Sequence, residues 1–383
     1  MKRCIKILLF PAIAVIFCGC AINSVRPVQP EYKGKKLKTG FYIDDGSRGG
    51  GVIHLARLLT YSPQIELHLL KGKDLRAGKL KGLDLLVMPG GSSARQMKSM
   101  GPEGVKALQE FVRNGGAYVG VCAGFHITLN RPERAGLMPY TYLKDAVGNQ
   151  GDIYISLSKE GGKLLNIRSG RYNVRYSRGP IAAPAQWEKG ECKTYAVYES
   201  SVSPLKRPWK SFVGTPALIA GTYGRGKVIA TSFHPEYKVS TYEIFSGCVY
   251  AVTGVKLTPQ IPVSRYRPLR ITYHNTPGAQ KNTARVIREV IGLERCPELS
   301  VQLGLSHEIL LITDLLILPD CTPAAADSFI KIDWPRFITA FMDKGGRVLA
   351  VGESWKKLPE HQNMTRISAS DCVIKAALEI AAE

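Results

Sequence analysis

The sequence predicts an α/β protein built on a doubly wound parallel sheet, followed by a second, smaller α/β domain. Two continuous apolar runs, at 83–89 and 117–121, have the composition of buried parallel strands. The segment between them has helical spacing, and the whole strand-helix-strand unit recurs farther along the chain. Alternation of strands and helices is typical of a doubly wound sheet.

The N-terminus predicts an export signal. Basic residues precede an apolar run from Ile7 to Phe17, which is too short to span a bilayer and suits a signal peptide. The run ends in Phe17-Cys18-Gly19-Cys20-Ala21, which resembles the lipobox of bacterial lipoproteins. The resemblance implies removal of residues 1–19, lipidation of Cys20, and membrane anchoring in the bacterial envelope, at the outer membrane or surface rather than the inner membrane. An uncleaved anchor helix is the alternative.

Composition and charge limit the classes of partner that we expect this protein to bind. The 383 residues are 45% hydrophobic and 22% charged, which excludes a disordered chain, and nine cysteines are too few for a disulfide framework. The net charge is +21, and loss of the three basic residues of the signal leaves +18. No nucleic-acid-binding motif is present. An anionic envelope polymer or lipid is therefore the expected partner, with a merely solvated basic surface as the alternative. No cofactor is expected, and no Cys/His cluster has zinc spacing, so no metal is expected.

Two Pro-rich breaks divide the mature chain. Residues 20–36 predict a tether, 37–258 the first domain, 259–268 a linker with three prolines, and 269–383 the second domain. Within the first domain, Pro102 predicts a helix start and Gly115-Gly116 its end, before the strand at 117–121.

The second domain is predicted to be a degenerate copy of the first. At a constant offset of 230, Asp314-Leu-Leu-Ile-Leu-Pro319 aligns with Asp84-Leu-Leu-Val-Met-Pro89, with four identities. Four more identities follow at the same offset, at Phe341, Gly345-Gly346 and Val351. Two unrelated strand-helix-strand units are the alternative. Gly352 stands where the first copy has Cys122, so the second domain is not expected to be catalytic.

The strand at 117–121 leads into Gly120-Val-Cys122-Ala-Gly124, a pattern with the mechanics of a nucleophile elbow. The following helix N-terminus favours the thiolate of Cys122. Backbone N–H groups of Ala123, Gly90 and Gly91 are candidate oxyanion donors.

A second motif supplies the partners of a thiol nucleophile. A predicted strand ends in His234-Pro-Glu236, so His234 is the candidate base for Cys122, and Glu236 the group that orients His234. A packing role is the alternative for the histidine.

At these residues the sequence resembles the class I glutamine amidotransferase-like superfamily, and within it the biotin-protein ligase N-terminal domain. The supporting stretches include Leu85-Leu-Val-Met-Pro-Gly-Gly91, the segment from Phe111 to Gly124, and Arg175-Tyr-Ser-Arg-Gly-Pro180. The resemblance covers about residues 37–258 and implies a flavodoxin-like fold with Cys122, His234 and Glu236 as catalytic triad.

Differences between this sequence and that superfamily change the function that we expect. His126 replaces the glutamine that usually follows the cysteine by four residues; it either lines the substrate pocket or simply belongs to the first helical turn. No synthetase domain is present to receive ammonia, which argues against glutamine transfer, and the ligase motif of biotinylating enzymes is missing. The glycines at 46 and 49–51 border the pocket, bind an anion at the N-terminus of the helix that they open, or form a flexible turn. Arg171, Arg175 and Arg178 either face an anionic substrate or form a solvated face.

The sequence therefore predicts a lipid-anchored cysteine-dependent hydrolase of the amidase or peptidase type. A non-catalytic envelope-binding lipoprotein that retains the fold is the alternative. The substrate, the disulfide pairing of the remaining cysteines and the oligomeric state are left open.

Overall fold

A computed structural model describes residues 32–184, 192–203, 210–260, 270–274, 298–302, 310, 313–331 and 334–368. The predicted signal peptide, Cys20, and most of the predicted tether and linker lie outside these residues. None of the described helices is long and apolar enough to cross a membrane.

The first part of the chain contains eleven described strands and six helices. In chain order these are β1 (Leu37–Tyr42), α1 (Gly50–Thr60), β2 (Ile65–Leu70), α2 (Gly72–Arg76), β3 (Leu85–Met88), α3 (Ser93–Arg113), β4 (Ala117–Val121), α4 (Ala123–Thr128), β5 (Tyr140–Tyr142), β6 (Gln150–Leu157), α5 (Lys159–Leu165), β7 (Gly170–Ser177), β8 (Ala182–Pro184), β9 (Cys192–Tyr198), β10 (Pro216–Tyr223), β11 (Gly226–Thr231) and α6 (Tyr242–Thr253).

Nine of these strands form one mixed sheet in the order β2-β1-β3-β4-β11-β10-β9-β6-β7. The half from β2 to β11 is parallel, as predicted, and every residue of β3 and β4 is buried. The other half is antiparallel. The change of direction occurs at the β10–β11 hairpin, whose short turn contains Gly224 at φ 61°. The sheet is thus α/β, with an antiparallel extension that the parallel prediction did not include.

The helix after β3 begins earlier than predicted. It starts at Ser93, and Pro102 lies inside it, but Gly101 at φ 67° interrupts the helical backbone immediately before the proline. The proline therefore starts the second segment of a kinked helix, because its ring cannot follow a regular helical turn without loss of a hydrogen bond.

A second sheet contains the predicted repeat. Its described elements are β12 (Arg270–His274), β13 (Glu298–Gln302), β14 (Leu315–Leu318), α7 (Pro323–Lys331), α8 (Trp334–Asp343), β15 (Arg347–Val351) and β16 (Met364–Ile367). The strands are parallel in the order β13-β12-β14-β15-β16, which repeats the order β2-β1-β3-β4 of the first sheet.

The two copies agree in detail at the offset of 230. The bounds of β14 and β15 are those of β3 and β4 shifted by 230. Gly116 N–H donates to Phe111 O at 3.0 Å, and Gly346 N–H donates to Phe341 O at the same distance. In both copies a side chain at the second glycine would overlap the phenylalanine ring. The same glycine-dependent turn therefore ends the helix in both copies.

Helices α1 and α6 lie in a core shared by the two sheets. One continuous cluster of buried residues contains Val52 and Leu55 of α1, Val249 of α6, and Ile317 and Leu349 of the second sheet. Burial around most of α1 agrees with its almost wholly apolar sequence, because a helix exposed on one side needs a polar face.

Candidate active site

Cys122 occupies a strained position between β4 and α4. Its φ of 51° is unusual for a residue with a side chain, and its N–H donates to Thr231 O at 2.8 Å. The flanking Gly120 and Gly124 pack together, and Tyr118 Oη donates to Gly124 O at 2.7 Å. These contacts require glycine and hold the thiol at the carboxyl end of β4.

His234 and Glu236 follow β11, the strand beside β4. His234 Nδ1 lies 2.7 Å from Glu236 Oε1, so Nδ1 carries a proton that it donates to the carboxylate. Glu236 is fully buried, and His234 is 6% exposed. The other carboxylate oxygen, Oε2, is buried without a hydrogen-bond partner among the residues that the structure describes. Among the described residues, the hydrogen bond of the Glu236 carboxylate is therefore the one to the His234 imidazole.

Both Cys122 and Glu236 influence the charge of the His234 imidazole. Burial by itself lowers the pKa of His234, but the charges of Glu236 and Cys122, together with hydrogen bonds to both side chains, raise this pKa well above its usual value. A Cβ placed on Gly90 would lie 2.8 Å from His234 Cε1 and 3.6 Å from Cys122 Cβ. The structure thus brings the three predicted triad residues together, and Gly90 leaves the space that they occupy.

The segment Arg175–Pro180 forms a wall of this site. Arg175 O accepts the N–H of His234 at 2.8 Å, and Ser177 O lies 3.9 Å from Cys122 Sγ. Pro180 O accepts a hydrogen bond from Ser232 Oγ at 2.6 Å. Sequence reasoning noted this segment as a family resemblance and did not assign Ser177 a contact. The arginine pattern alone could not show which backbone carbonyls face the thiol.

The glycines that precede α1 border the site. Gly51 packs against Glu236, where any side chain would overlap the carboxylate. Gly91, at φ 133°, packs against Gly46 O in the same way. Of the alternatives for the glycine run, these contacts favour a border of the pocket. Tyr237, which packs over Gly50 and Gly51, was not singled out in the sequence, although it directly follows Glu236.

The candidate oxyanion donors occupy the expected loops. Gly90 and Gly91 follow β3, and Ala123 is the first residue of α4. The backbone bridge between Ser47 and Gly91 holds the loop after β3. Their role toward an oxyanion stays a prediction.

His126 belongs to the supporting structure of α4. Its Nδ1 lies 2.9 Å from Ser93 Oγ, and its ring centroid lies 4.5 Å from that of Tyr142. Burial, then the positive charges of Arg134 and Arg131, lower its pKa to about 3, so the ring is neutral. These contacts favour the second alternative, a place in the helical turn, over a pocket lining.

In the second sheet, Gly352 stands at the position that corresponds to Cys122, and Asp320 occupies the space beside it. Gly352 has a φ of 80°, and a side chain there would overlap Asp320. The indole N–H of the fully buried Trp355 donates to Pro319 O at 2.8 Å. Ser354 Oγ donates to Cys321 O at 2.6 Å. At the position that corresponds to Cys122 the second copy therefore has no thiol, and Asp320 occupies the space beside it.

Other cysteines and cavities lie away from the triad. Burial raises the pKa of Cys192 to about 12 and also raises that of Cys248, as expected of buried apolar thiols. Cys296 and Cys372 lie outside the described residues.

A cavity of about 870 Å³ lies at the opposite edge of the first sheet, beside Leu37, Asp84 and Gly115. No cluster of metal-binding side chains occurs in the part of the chain that the structure describes.

Comparison with known proteins agrees with the motifs. The family model for the N-terminal part of biotin-protein ligase matches residues 79–132, which include the loop after β3 and the elbow at Cys122. The phosphoribosylformylglycinamidine synthase subunit PurQ of Moorella thermoacetica is 27% identical over 219 residues, which are 52% of this chain and 87% of that protein. The resemblance predicted from the motifs is confirmed.

Solved structures include similar chains. A glutamine amidotransferase is 20% identical and matches with a TM-score of 0.40, over 56% of this chain and 99% of that one. PurLQS from Thermotoga maritima is 15% identical, with a TM-score of 0.39 over 56% of this chain and 98% of that one.

Proposed function

We propose that this protein is a cysteine-dependent hydrolase that cleaves an amide or peptide-like bond. The observation that carries the proposal is the position of the His234 imidazole, which lies 2.7 Å from Oε1 of the buried Glu236 and borders Gly90 together with Cys122. This is the nucleophile-base-orienter arrangement of thiol hydrolases.

In this mechanism His234 accepts the Cys122 proton, and Cys122 Sγ attacks the substrate carbonyl carbon. The carbon-nitrogen bond then breaks, and the leaving amine takes the proton from His234. Water, deprotonated by His234, attacks the resulting thioester, releases the acid and restores the thiol. Glu236 stabilises the imidazolium throughout, and the N–H groups of Gly91 and Ala123 stabilise the oxyanion.

Alkylation of Cys122 tests this proposal without a known substrate. At pH 6.5 we expect iodoacetamide to modify Cys122 at least about tenfold faster than glutathione, because an imidazolium neighbour favours the thiolate. His234→Ala should remove this advantage. Trypsin releases Cys122 in the peptide 114–134, which contains no other cysteine, so mass spectrometry measures this site alone.

His68→Ala is the matched control, because His68 pairs with Glu66 at an exposed position away from the triad. It should leave the rate unchanged. A Cys122 rate equal to that of glutathione, unaffected by His234→Ala, would overturn the hydrolase and leave the binding lipoprotein as the function.

The location of the protein is part of the proposal. The lipobox-like sequence at Cys20 supports a lipid-anchored protein of the bacterial envelope, at the outer membrane or surface rather than the inner membrane. The mature charge of +18 makes an anionic envelope polymer the proposed macromolecular partner, and binding to it should weaken steeply as salt is added.

A further inference from the structure

Two loops of the first sheet that lie next to the site of Cys122 each carry an arginine, Arg48 and Arg178. Arg48 lies in the loop before α1, next to the bridge between Ser47 and Gly91. Gly90, the neighbour of Gly91, borders Cys122 and His234. The backbone of Arg48 therefore lies beside the loop that borders Cys122 and His234.

Arg178 lies in the second of these loops, after β7. It directly follows Ser177, whose carbonyl lies 3.9 Å from Cys122 Sγ. Its φ of 53° turns the chain at this point, and its side chain is exposed. Burial, and then the positive charges of Arg95 and Arg178, lower the pKa of Arg48, whereas the charges of Cys122 and Asp45 raise it.

Basic side chains around this edge differ in their partners. Arg95 pairs with Asp45 at 3.1 Å, and both Lys238 and Arg175 pair with Asp152, at 2.8 and 3.9 Å. Arg48 and Arg178 have no such ion pair among the described residues.

The positive charge at this site exceeds the negative charge. Arg48 is half-buried, and the guanidinium groups of Arg48, Arg95 and Arg178 share one carboxylate, that of Asp45, which pairs with Arg95. A thiolate at Cys122 would neutralise one more of these charges, and Glu236 is bonded to His234. An anion from outside the chain would compensate this charge.

We infer that Arg48 and Arg178 form a subsite for a compact anionic group, a carboxylate, that the substrate carries within a few bonds of the amide attacked by Cys122. The guanidinium fork matches a carboxylate in geometry and charge. The inference rests on the proposed function and specifies its substrate class as an acidic amide.

Two alkylating agents of nearly equal size test the subsite. In both, Cys122 Sγ displaces iodide, so a sulfur-carbon bond forms, the carbon-iodine bond breaks, and the thiol proton passes to His234 or solvent. Iodoacetate places a carboxylate beside the reacting carbon, whereas iodoacetamide is neutral. We expect the iodoacetate-to-iodoacetamide rate ratio at Cys122 to exceed that of glutathione by about tenfold, the effect of one charged hydrogen bond.

Variants of the full chain identify the groups responsible. Arg178→Gln and Arg48→Gln should each lower the rate ratio toward that of glutathione, and Arg178→Lys should retain most of the preference because it keeps the charge. Arg168→Gln is the matched control: it removes an exposed arginine at the other end of β7, about 26 Å away along the eight-residue strand. It should leave the ratio unchanged.

The outcomes separate the two proposals. If Cys122 reacts rapidly in a His234-dependent manner but its ratio equals that of glutathione, the anionic subsite is wrong and the hydrolase stands. The subsite is also wrong if Arg168→Gln lowers the ratio as much as Arg178→Gln, because the effect would then come from net charge. If His234→Ala changes neither rate, the hydrolase itself is wrong.

Discussion

The backbone at Cys122 shows how a single residue is specialised. A positive φ at a residue with a side chain costs about 1–3 kcal/mol. The second copy has Gly352 at the same position, with a φ of 80°, and glycine adopts a positive φ without strain. Strain is therefore present in the copy that carries a thiol and relieved in the copy that lacks one, which is typical of a nucleophile elbow.

The raised pKa of His234 makes stability depend on pH. Because the folded state holds this proton more tightly than the unfolded state, where the pKa is about 6.5, its contribution is full below that pH and is lost as pH rises through the folded pKa. Glu236→Gln removes the carboxylate charge and lowers this pKa. We expect the loss of unfolding free energy between pH 6 and pH 9 to be smaller in the variant by at least about 1.4 kcal/mol, which is one pKa unit.

Urea unfolding at the two pH values measures this difference. Asp343→Asn is the control, because it removes the carboxylate from a more exposed pair, in which His361 Nε2 lies 3.2 Å from Asp343 Oδ1. Equal pH dependence in wild type and Glu236→Gln would show that Glu236 does not control the charge of His234.

The loop after β3 is the element that differs most between the copies. The flanking strands have identical bounds at the offset of 230, yet Pro89-Gly90-Gly91 becomes Pro319-Asp320-Cys321. In the first copy the glycines make room for His234 and for the loop that precedes α1. In the second, Asp320 fills the position that faces Gly352. The strand framework is thus independent of the site that it carries.

Gly90→Ala tests the role of this loop. Its φ is not in the left-handed region, so alanine adds no backbone strain, but the new Cβ would lie 2.8 Å from His234 Cε1. We expect a folded protein in which the imidazole is displaced and alkylation of Cys122 at pH 6.5 falls at least tenfold, since general-base assistance is worth about 10² or more.

Gly104→Ala in α3 serves as the control, because its new Cβ lies 3.1 Å from Met100 Cβ and meets no triad residue. Circular dichroism verifies folding of both variants. An unchanged alkylation rate in Gly90→Ala would mean that His234 does not assist Cys122 from its observed position.

At the scale of the whole molecule, the second sheet shares a core with the first. Ile317 and Leu349 belong to the same buried cluster as Val52 and Leu55 of α1. The second copy therefore has a structural role, since it covers apolar surface of α1 that solvent would otherwise reach. The predicted domain boundaries at 258 and 269 stay predictions.

Membrane attachment is a prediction about the whole chain. We expect Cys20→Ala to block lipidation and release the protein from the membrane fraction, because the apolar run at 7–17 is too short to hold it there alone. Fractionation of cells, with metabolic labelling by a fatty acid, measures both effects. Cys18→Ala is the control and should remain lipidated. Membrane retention of Cys20→Ala would favour the uncleaved anchor helix.

The sequence by itself determined the parallel half of the fold, and it predicted Cys122, His234 and Glu236 as neighbours at the carboxyl end of adjacent strands. Continuous apolar runs at 85–88 and 117–121, a glycine-flanked cysteine and a His-Pro-Glu after a strand are local patterns, and local patterns are readable along the chain. The repeat was also readable, because its offset is constant.

Only the tertiary structure decided what surrounds the thiol. The contact of Ser177 O with Cys122 and the packing of Gly51 on Glu236 join residues 55 or more positions apart. Such contacts follow from strand order and from the turn into the antiparallel half, which local periodicity does not encode. Long-range pairing, rather than residue type, therefore defines the pocket in which the predicted residues act.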